Sequence, residues 1–182
     1  MSQVALFLDR DGVINIDHAY VCKPENFQFV EGIFELCRTA KQLGFLLCVV
    51  TNQAGIGRGF YSEDDFLSLT EWMCQAFSAE GVIIDKVYFC PTHPEHGIGD
   101  YKIASPFRKP GPGMLLQAAK ELDIDLARSV LIGDKTSDIQ AGIAAGLSCN
   151  LFYSPNLVVA APAATAVLTD LLEAVPFLLK MR

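Results

Sequence analysis

The sequence predicts an α/β fold, a doubly wound, Rossmann-like parallel sheet. Short apolar segments alternate along the chain with longer segments whose apolar residues recur at helical spacing. Such alternation is typical of a parallel sheet with helices on both faces. Polar side chains also follow directly after several apolar segments, and open α/β sheets bind their ligands at the carboxyl ends of strands.

Six short apolar runs are predicted to form the strands. They are rich in Val, Ile, Leu and Phe, and most carry no charge, as strands buried on both faces require. In chain order they cover residues 4–8, 45–50, 82–90, 130–132, 147–153 and 166–168. The first run is followed by Asp9 and Asp11, the second by Thr51, and the fourth by Gly133 and Asp134.

Five segments between these runs are predicted to be helices. Gly44 and Gly146 follow the first and the fourth predicted helix, since glycine readily adopts the left-handed conformation that often ends a helix. Ser62 and the three acids after it suit the start of the second. An apolar stripe in the last favours packing on the sheet over an oligomer face. The helices cover residues 33–43, 62–79, 113–122, 137–145 and 170–179. The main connections cover residues 12–30, 51–60, 91–112 and 160–164.

Composition narrows the class of protein. The 182 residues fit one domain spanning 1–182, and the 51% of hydrophobic residues supply a sizeable core. The formal charge of −7 argues against a nucleic-acid partner, because such proteins rely on clustered Lys and Arg. No apolar run is long enough to span a bilayer, no signal peptide is evident, and the six cysteines are scattered. We therefore expect a cytoplasmic monomer with reduced thiols and without membrane contact.

Asp9 and Asp11 place two carboxylates at the end of one strand. Two acids so close repel each other unless a divalent cation with oxygen ligands compensates their charge. One carboxylate can then act as a nucleophile while the other transfers a proton. The pair therefore predicts a metal-assisted reaction at this edge of the sheet.

Further polar groups follow the neighbouring strands or precede helices. Thr51 offers a hydroxyl, Arg108 and Lys109 offer two cations, and Asp134 and Asp138 add two acids. In a doubly wound sheet these positions converge on one crevice. The set suits phosphoryl transfer, in which cations neutralise phosphate oxygens while hydroxyl and N–H groups donate to them.

Four segments, in order, resemble the motifs of the haloacid dehalogenase (HAD) superfamily. They are DRDGV at 9–13, VTNQ at 50–53, RKP at 108–110 and GDKTSD at 133–138. The resemblance implies that Asp9 attacks phosphorus and becomes an aspartyl phosphate. Asp11 would protonate the leaving oxygen and then activate water, while Thr51 and Lys109 hold the phosphoryl group. The acid at position 11 favours phosphoester hydrolysis, because dehalogenases of this superfamily lack it.

The resemblance also implies Mg²⁺ as the cofactor. Asp134 would bind the ion together with Asp9 and the backbone carbonyl of Asp11, and Asp138 would orient these ligands. The intervals between the first three motifs each hold one loop, one helix and one strand, which leaves no room for a cap domain. Substrate selection would then depend on the loops around the crevice.

A narrower resemblance is to the capless D-glycero-D-manno-heptose-1,7-bisphosphate 7-phosphatases and the related histidinol-phosphatases. It rests on NQAGIGRG at 52–59, on CP at 90–91 and on RKP at 108–110. It implies a small phosphorylated sugar as substrate, recognised by Arg108 and by a set of loop residues. These are Asp17, His18, Ala19, Tyr20, Asn52, Gln53, Ala54, Arg58 and Lys135. For Arg58, a phosphate contact and a solvated loop arginine both stay open.

The sequence departs from these families at their zinc site. Many members hold a structural zinc ion with Cys-x-His followed by Cys-x-Cys. Cys90 is present here, but the other three ligand positions are occupied by Thr92, Ser105 and Phe107. We therefore expect no zinc by that pattern. The alternatives are a polar surface loop, which we favour, and a rearranged site made of Cys90, His93, His96 and Asp100.

Several functions remain open on the sequence alone. The resemblance favours a Mg²⁺-dependent phosphatase that removes the 7-phosphate of heptose 1,7-bisphosphate for surface polysaccharide synthesis. Histidinol phosphate or another small sugar phosphate is an alternative within the same class. A polynucleotide 3′-phosphatase shares this core but normally has a basic surface. The complete acid set at positions 9, 11, 134 and 138 disfavours a non-catalytic binding module.

Overall fold

The computed structural model describes residues 2–156 and 163–182 of the chain. Of the predicted connection at 160–164, residues 160–162 lie outside the described residues. The strands are β1 (Val4–Leu8), β2 (Phe45–Asn52), β3 (Lys86–Cys90), β4 (Val130–Gly133), β5 (Cys149–Tyr153) and β6 (Ala166–Leu168). The helices are α1 (Ile33–Gln42), α2 (Ala54–Gly57), α3 (Glu63–Ala79), α4 (Gly113–Leu122), α5 (Thr136–Ala145) and α6 (Val175–Met181).

The strands form one parallel sheet in the order β3-β2-β1-β4-β5-β6. The chain builds outward from β1 to β3 and then returns to place β4 on the other side of β1. Leu8 pairs with Ile132, so the residues that follow β1 and β4 are neighbours. A doubly wound sheet has its ligand crevice where the strand order reverses in this way. The predicted fold class is confirmed.

Helices cover both faces of the sheet. Side chains alternate between the faces along each strand, so Leu8 packs on the side of α1, α3 and α6, while Phe7 packs on the side of α4 and α5. Leu171 and Leu178 are fully buried against the first side. Most of the apolar stripe near the C-terminus therefore packs on the sheet, as the sequence predicted, while Leu179 stays 56% exposed.

Two strands begin later than predicted, because the residues before them close the preceding helix. The N–H of Val82 donates to the carbonyl of Phe77 (2.9 Å), and the N–H of Leu147 donates to the carbonyl of Gly142 (3.0 Å). These residues belong to the helix ends, so β3 and β5 start only after them.

The remaining differences lie in a loop and in the last helix. β2 runs on to Asn52 and the one-turn helix α2 follows, where the sequence predicted a glycine-rich loop. The predicted last helix is split into a short 3-10 helix (Leu171–Ala174) and α6. Pro176 explains the break, since proline has no N–H to donate and is accommodated only in the first turn of a helix.

The six cysteines are all free, and four of them are buried. Burial raises the pKa of the Cys37 and Cys48 thiols to about 12, which keeps both protonated. Among the helices of the described chain, none is long and apolar enough to cross a membrane.

Candidate active site

Asp9 lies at the carboxyl end of β1, where its side chain meets Lys109. The Lys109 ammonium group donates to Oδ1 of Asp9 (2.8 Å), to Oδ1 of Asp138 (2.6 Å) and to the carbonyl of Val50 (2.8 Å). Asp9 and Lys109 are each 4% exposed and Asp138 is 1% exposed. Residues from three separate motifs therefore meet in one buried ionic cluster.

Burial and mutual repulsion shift the ionisation of this cluster. Burial alone would lower the pKa of Lys109, but Asp9 and Asp138 outweigh it and raise that pKa. Lys109 therefore stays charged. Burial raises the pKa of Asp9 against the opposing effect of Lys109. Burial, followed by repulsion from Asp9, raises the pKa of Asp134 to about 8. Lys135 opposes the rise in the pKa of Asp134, but burial and the neighbouring acids outweigh it.

Carboxylate oxygens of Asp9, Asp134 and Asp138 all lie within 4.8 Å of one another. Oδ1 of Asp134 is buried and has no hydrogen-bond partner within the described residues. A Cβ atom on Gly12 would lie 2.1 Å from Oδ2 of Asp134, so only glycine leaves room for this carboxylate. Hard oxygen ligands with excess negative charge are what Mg²⁺ requires, and the residues present fit that ion.

Asp11 lies outside this group, and nitrogen donors from three side chains surround its carboxylate. Arg10 donates to both oxygens, through Nε to Oδ2 (3.1 Å) and Nη2 to Oδ1 (2.8 Å). Asn15 Nδ2 donates to Oδ1 (3.1 Å), and Gln53 Nε2 donates to Oδ2 (2.9 Å). Gln53 Nε2 also donates to the Thr51 hydroxyl at 2.8 Å. The predicted acid and the predicted hydroxyl are thus joined by one amide.

Asn52 connects two of the motifs through the backbone. Its side-chain amide donates to the carbonyl of Lys109 and accepts from the N–H of Lys109, both at 3.0 Å. This pair of hydrogen bonds fixes the loop that carries the lysine. The predicted substrate residue Asn52 therefore also has a structural use.

A cavity of about 510 Å³ opens above the cluster. The predicted site residues that line it are Asp9, Asp11, Asp17, Ala19, Tyr20, Asn52, Gln53, Ala54, Arg108, Lys109, Lys135 and Asp138. Four others do not line it. Thr51 is 1% exposed and accepts from Gln53, and Asp134 lies against Gly12. His18 is exposed, and Arg58 packs beside the rim.

The loop at 17–20 is held at both ends. Asp17 Oδ2 lies 3.1 Å from the ammonium group of Lys135. At the other end, the Arg58 guanidinium donates to the Tyr20 hydroxyl and lies 4.8 Å from the ring centre of Phe60. Ala19 and Tyr20 both have positive φ, at 59° and 54°. This conformation is uncommon for residues other than glycine and needs such anchors to persist.

Arg108 is tied to the loop that follows β3 and carries the predicted zinc-ligand positions. Its Nη1 donates to the carbonyl of Thr92 at 3.3 Å. Cys90 Sγ contacts the Thr92 hydroxyl at 3.3 Å, and Nδ1 of His93 accepts two backbone N–H groups. Within the described residues, Cys90, His93, His96 and Asp100 do not gather into a group of metal ligands.

Sequence reasoning assigned no role to several residues at the site. Arg10 and Asn15 bind Asp11, Tyr61 donates to Oε1 of Gln53, and Pro110 and Ser137 line the cavity. Arg10 could have been identified from the sequence, because it is a charged residue that lies between the two motif acids at the end of a buried strand. Nothing in the local sequence around Tyr61 points to the site.

Comparison with known proteins identifies the family. A model of HAD-hydrolase-like proteins matches residues 106–174. Across 179 residues the chain is 58% identical to the D-glycero-alpha-D-manno-heptose-1,7-bisphosphate 7-phosphatase of Burkholderia mallei, covering 98% of this chain and 95% of that protein. The chain belongs to the heptose-1,7-bisphosphate 7-phosphatase family of HAD hydrolases. A second relative in this family, the D-glycero-beta-D-manno-heptose-1,7-bisphosphate 7-phosphatase of Vibrio cholerae, is 46% identical over all of both chains.

Solved structures agree with this family. A D,D-heptose 1,7-bisphosphate phosphatase from B. bronchiseptica, complexed with magnesium and phosphate, has a TM-score of 0.83 and 29% identity over 98% of this chain and 100% of that one. A HAD-like phosphatase from Mesorhizobium loti has a TM-score of 0.86 and 36% identity over 97% of this chain and 88% of that one. The expected superfamily and phosphatase family are confirmed.

Proposed function

We propose that this protein is a Mg²⁺-dependent phosphatase that removes the 7-phosphate of D-glycero-D-manno-heptose 1,7-bisphosphate, for nucleotide-activated heptose and surface polysaccharide. The observation that carries the proposal is the cluster at the reversal of strand order, in which Asp9, Lys109 and Asp138 are buried and Asp134 is half-buried. This cluster combines a carboxylate nucleophile, a cation and oxygen ligands for a metal, as phosphoryl transfer requires. The substrate is supported by relatives at 46% and 58% identity.

In the proposed reaction, Asp9 attacks phosphorus and forms an aspartyl phosphate while the bond from phosphorus to the sugar oxygen breaks. Asp11 gives its proton to that oxygen. A water molecule then attacks phosphorus and passes a proton to Asp11, which frees phosphate and restores Asp9. Lys109 and Thr51 would neutralise and hold the phosphoryl oxygens. Mg²⁺, held by Asp9, Asp134 and the backbone carbonyl of Asp11, would neutralise charge on the phosphoryl group.

The rim of the cavity supports a small substrate with a second phosphate. Arg108 and Lys135 line it and offer two cations, and the acid Asp17 beside Lys135 could bind sugar hydroxyl groups. The formal charge of −7 disfavours the polynucleotide alternative.

We also propose that the enzyme works as a monomer in the cytoplasm. Six unpaired cysteines suit a reducing compartment. Most of the C-terminal apolar stripe, the candidate oligomer face, packs on the sheet instead, although its Leu179 is exposed. Light scattering at the protein concentration used in the activity assay tests the oligomeric state, and a dimer would contradict this part of the proposal.

Phosphate release with Mg²⁺ tests the activity and the substrate. The panel is both anomers of heptose 1,7-bisphosphate, histidinol phosphate, fructose 1,6-bisphosphate and a 3′-phosphorylated oligonucleotide, with Asp9→Asn as the control. We expect a heptose preference of about a hundredfold in kcat/KM, equal to roughly 2.7 kcal/mol, and no activity in the control. Equal, Asp9-dependent activity on all substrates would reject the heptose assignment but keep the chemistry. Activity that survives in Asp9→Asn would reject the mechanism.

A further inference from the structure

Arg10 is a buried charged side chain devoted to one acid of the site. It is 2% exposed, and its guanidinium meets both oxygens of Asp11 through two different nitrogens, at 2.8 and 3.1 Å. Nη2 also donates to the carbonyl of Val21 at 2.8 Å, which fixes the plane of the group. A planar fork of this kind sets the direction of a carboxylate as well as its charge.

Tyr61 acts on the same carboxylate indirectly, through Gln53. The Tyr61 hydroxyl donates to Oε1 of Gln53. An amide offers an acceptor at one end and donors at the other, so this bond turns the amide nitrogen toward Asp11 Oδ2 (2.9 Å) and the Thr51 hydroxyl (2.8 Å). Without the hydroxyl, Gln53 Oε1 loses this donor, and the amide is held only by its bonds to Asp11 and Thr51.

Glycine at position 55 makes room for this tyrosine. A Cβ atom there would lie 2.2 Å from the Tyr61 ring. The one-turn helix α2 therefore packs directly against the ring, and the tyrosine is only 8% exposed. The hydroxyl has little freedom to leave Gln53.

We propose that Arg10 and Tyr61 are positioning residues that aim the carboxyl group of Asp11, Arg10 directly and Tyr61 through the Gln53 amide. The inference rests on the proposed phosphatase function, in which Asp11 gives a proton to the leaving sugar oxygen. A misdirected Asp11 loses that transfer, while the attack by Asp9 and the phosphate contacts of Lys109 continue.

The leaving group separates this role from a purely structural one. A sugar oxygen leaves as a poor anion and needs a proton, whereas 2,4-dinitrophenolate leaves without one. The ratio kcat/KM covers binding and phosphoenzyme formation only, so the later hydrolysis step does not affect it. A positioning defect therefore lowers kcat/KM for the sugar phosphate and spares the aryl phosphate, while general damage lowers both.

The experiment compares wild type with Tyr61→Phe, Arg10→Lys and Arg10→Met on heptose 1,7-bisphosphate and 2,4-dinitrophenyl phosphate. General acid catalysis contributes about a hundredfold or more, so we expect Tyr61→Phe to lose about tenfold on the heptose and less than about twofold on the aryl ester. Arg10→Met loses more than Arg10→Lys, which keeps a donor. Tyr88→Phe is the matched control, because it removes a buried tyrosine hydroxyl bound to Glu121 (2.9 Å), away from the cavity.

Two outcomes overturn the inference. Equal losses on both esters in Tyr61→Phe would assign Tyr61 a structural role only, and this variant decides even if the Arg10 variants do not fold. Unchanged activity of Tyr61→Phe on both esters would show that Asp11 does not depend on Tyr61 for its position. Wild type that hydrolyses neither ester would instead reject the proposed function itself.

Discussion

The ammonium nitrogen of Lys109 lies 2.8 Å from Oδ1 of Asp9, and the two side chains are 3% and 6% exposed. The pair is nearly as buried as the apolar core around it. A second acid, Asp138, shares the same ammonium group at 2.6 Å. Such a cluster depends on the ammonium group that its acids share, because a buried charge left without a partner is strongly destabilising.

Removal of Lys109 is expected to destabilise the fold more than removal of the Asp9 charge. Lys109→Met leaves buried acids without a cation and should lower the free energy of unfolding by about 3–5 kcal/mol. Asp9→Asn keeps an oxygen that can accept from Lys109 and reduces the repulsion among the acids. Its free energy of unfolding should therefore fall by less. Urea unfolding in chelator measures both. A smaller loss for Lys109→Met than for Asp9→Asn would contradict this account of the cluster.

The metal-free protein should lose stability as the pH rises. The pKa of Asp134 is raised to about 8 in the folded state, against about 3.9 for an unperturbed Asp. Between these values the folded state binds more protons, so the free energy of unfolding falls as pH increases. Asp134→Asn lacks this titration. Urea unfolding in chelator at several pH values between about 5 and 8 should show wild type weakening relative to the variant. If the difference in the free energy of unfolding between wild type and Asp134→Asn stayed constant with pH, the raised pKa of Asp134 would be contradicted.

Gly12→Ala should disturb the metal ligand Asp134. Gly12 has φ of 106°, and a Cβ there would lie 2.1 Å from the Asp134 carboxylate. Gly44 has a similar φ of 88° but has no atom within 4 Å of its Cβ position, so Gly44→Ala is the matched control. Calorimetric titration should show about tenfold weaker Mg²⁺ binding for Gly12→Ala and no change for Gly44→Ala. Equal Mg²⁺ affinities in the two variants would contradict the prediction.

Arg58→Ala should release the loop at 17–20 from the rim. Because the guanidinium is packed against Tyr20 and Phe60, we expect it to hold the loop rather than a phosphate. KM should then rise by a similar factor, about three- to tenfold, or roughly 1 kcal/mol, for heptose bisphosphate and for a heptose monophosphate. A rise restricted to the bisphosphate would identify Arg58 as a phosphate contact instead.

Protein purified without chelator should contain far less than one zinc ion per chain. The loop after β3 is held by backbone hydrogen bonds, including Gly57 N–H to the Pro91 carbonyl (3.1 Å) and His93 N–H to the Tyr101 carbonyl (3.0 Å). Cys90 faces the Thr92 hydroxyl. Elemental analysis by mass spectrometry measures the zinc content. About one equivalent would show a rearranged four-ligand site.

Much of the fold was predictable because its signals are local. The strands β1, β2 and β4 are runs of apolar residues, and the acids Asp9 and Asp134 follow two of them directly. Burial on both faces of a parallel sheet demands such runs. The boundaries of β3 and β5 were less predictable, since Val82 and Leu147 are apolar yet close a helix. Apolar character does not distinguish the two uses.

The candidate site was predictable in its membership and less so in its connections. The motifs named Asp9, Asp11 and Lys109, but not the contacts among them. Gln53 received a substrate role, and its bonds to Asp11 and Thr51 became visible only in three dimensions. Amide and guanidinium groups bind whatever the fold brings near, which sequence spacing does not state.

The sequence by itself determined the class of fold, the order of the motifs and the chemical groups available, because apolar periodicity and residue type are properties of the chain alone. Only the tertiary structure decided that Lys109 pairs with both Asp9 and Asp138, that Gly12 makes room for Asp134, and that Tyr61 reaches the acid through Gln53. Those relationships depend on distances of a few ångströms between residues far apart in the chain. Sheet pairing and helix packing set such distances, and no local pattern encodes them.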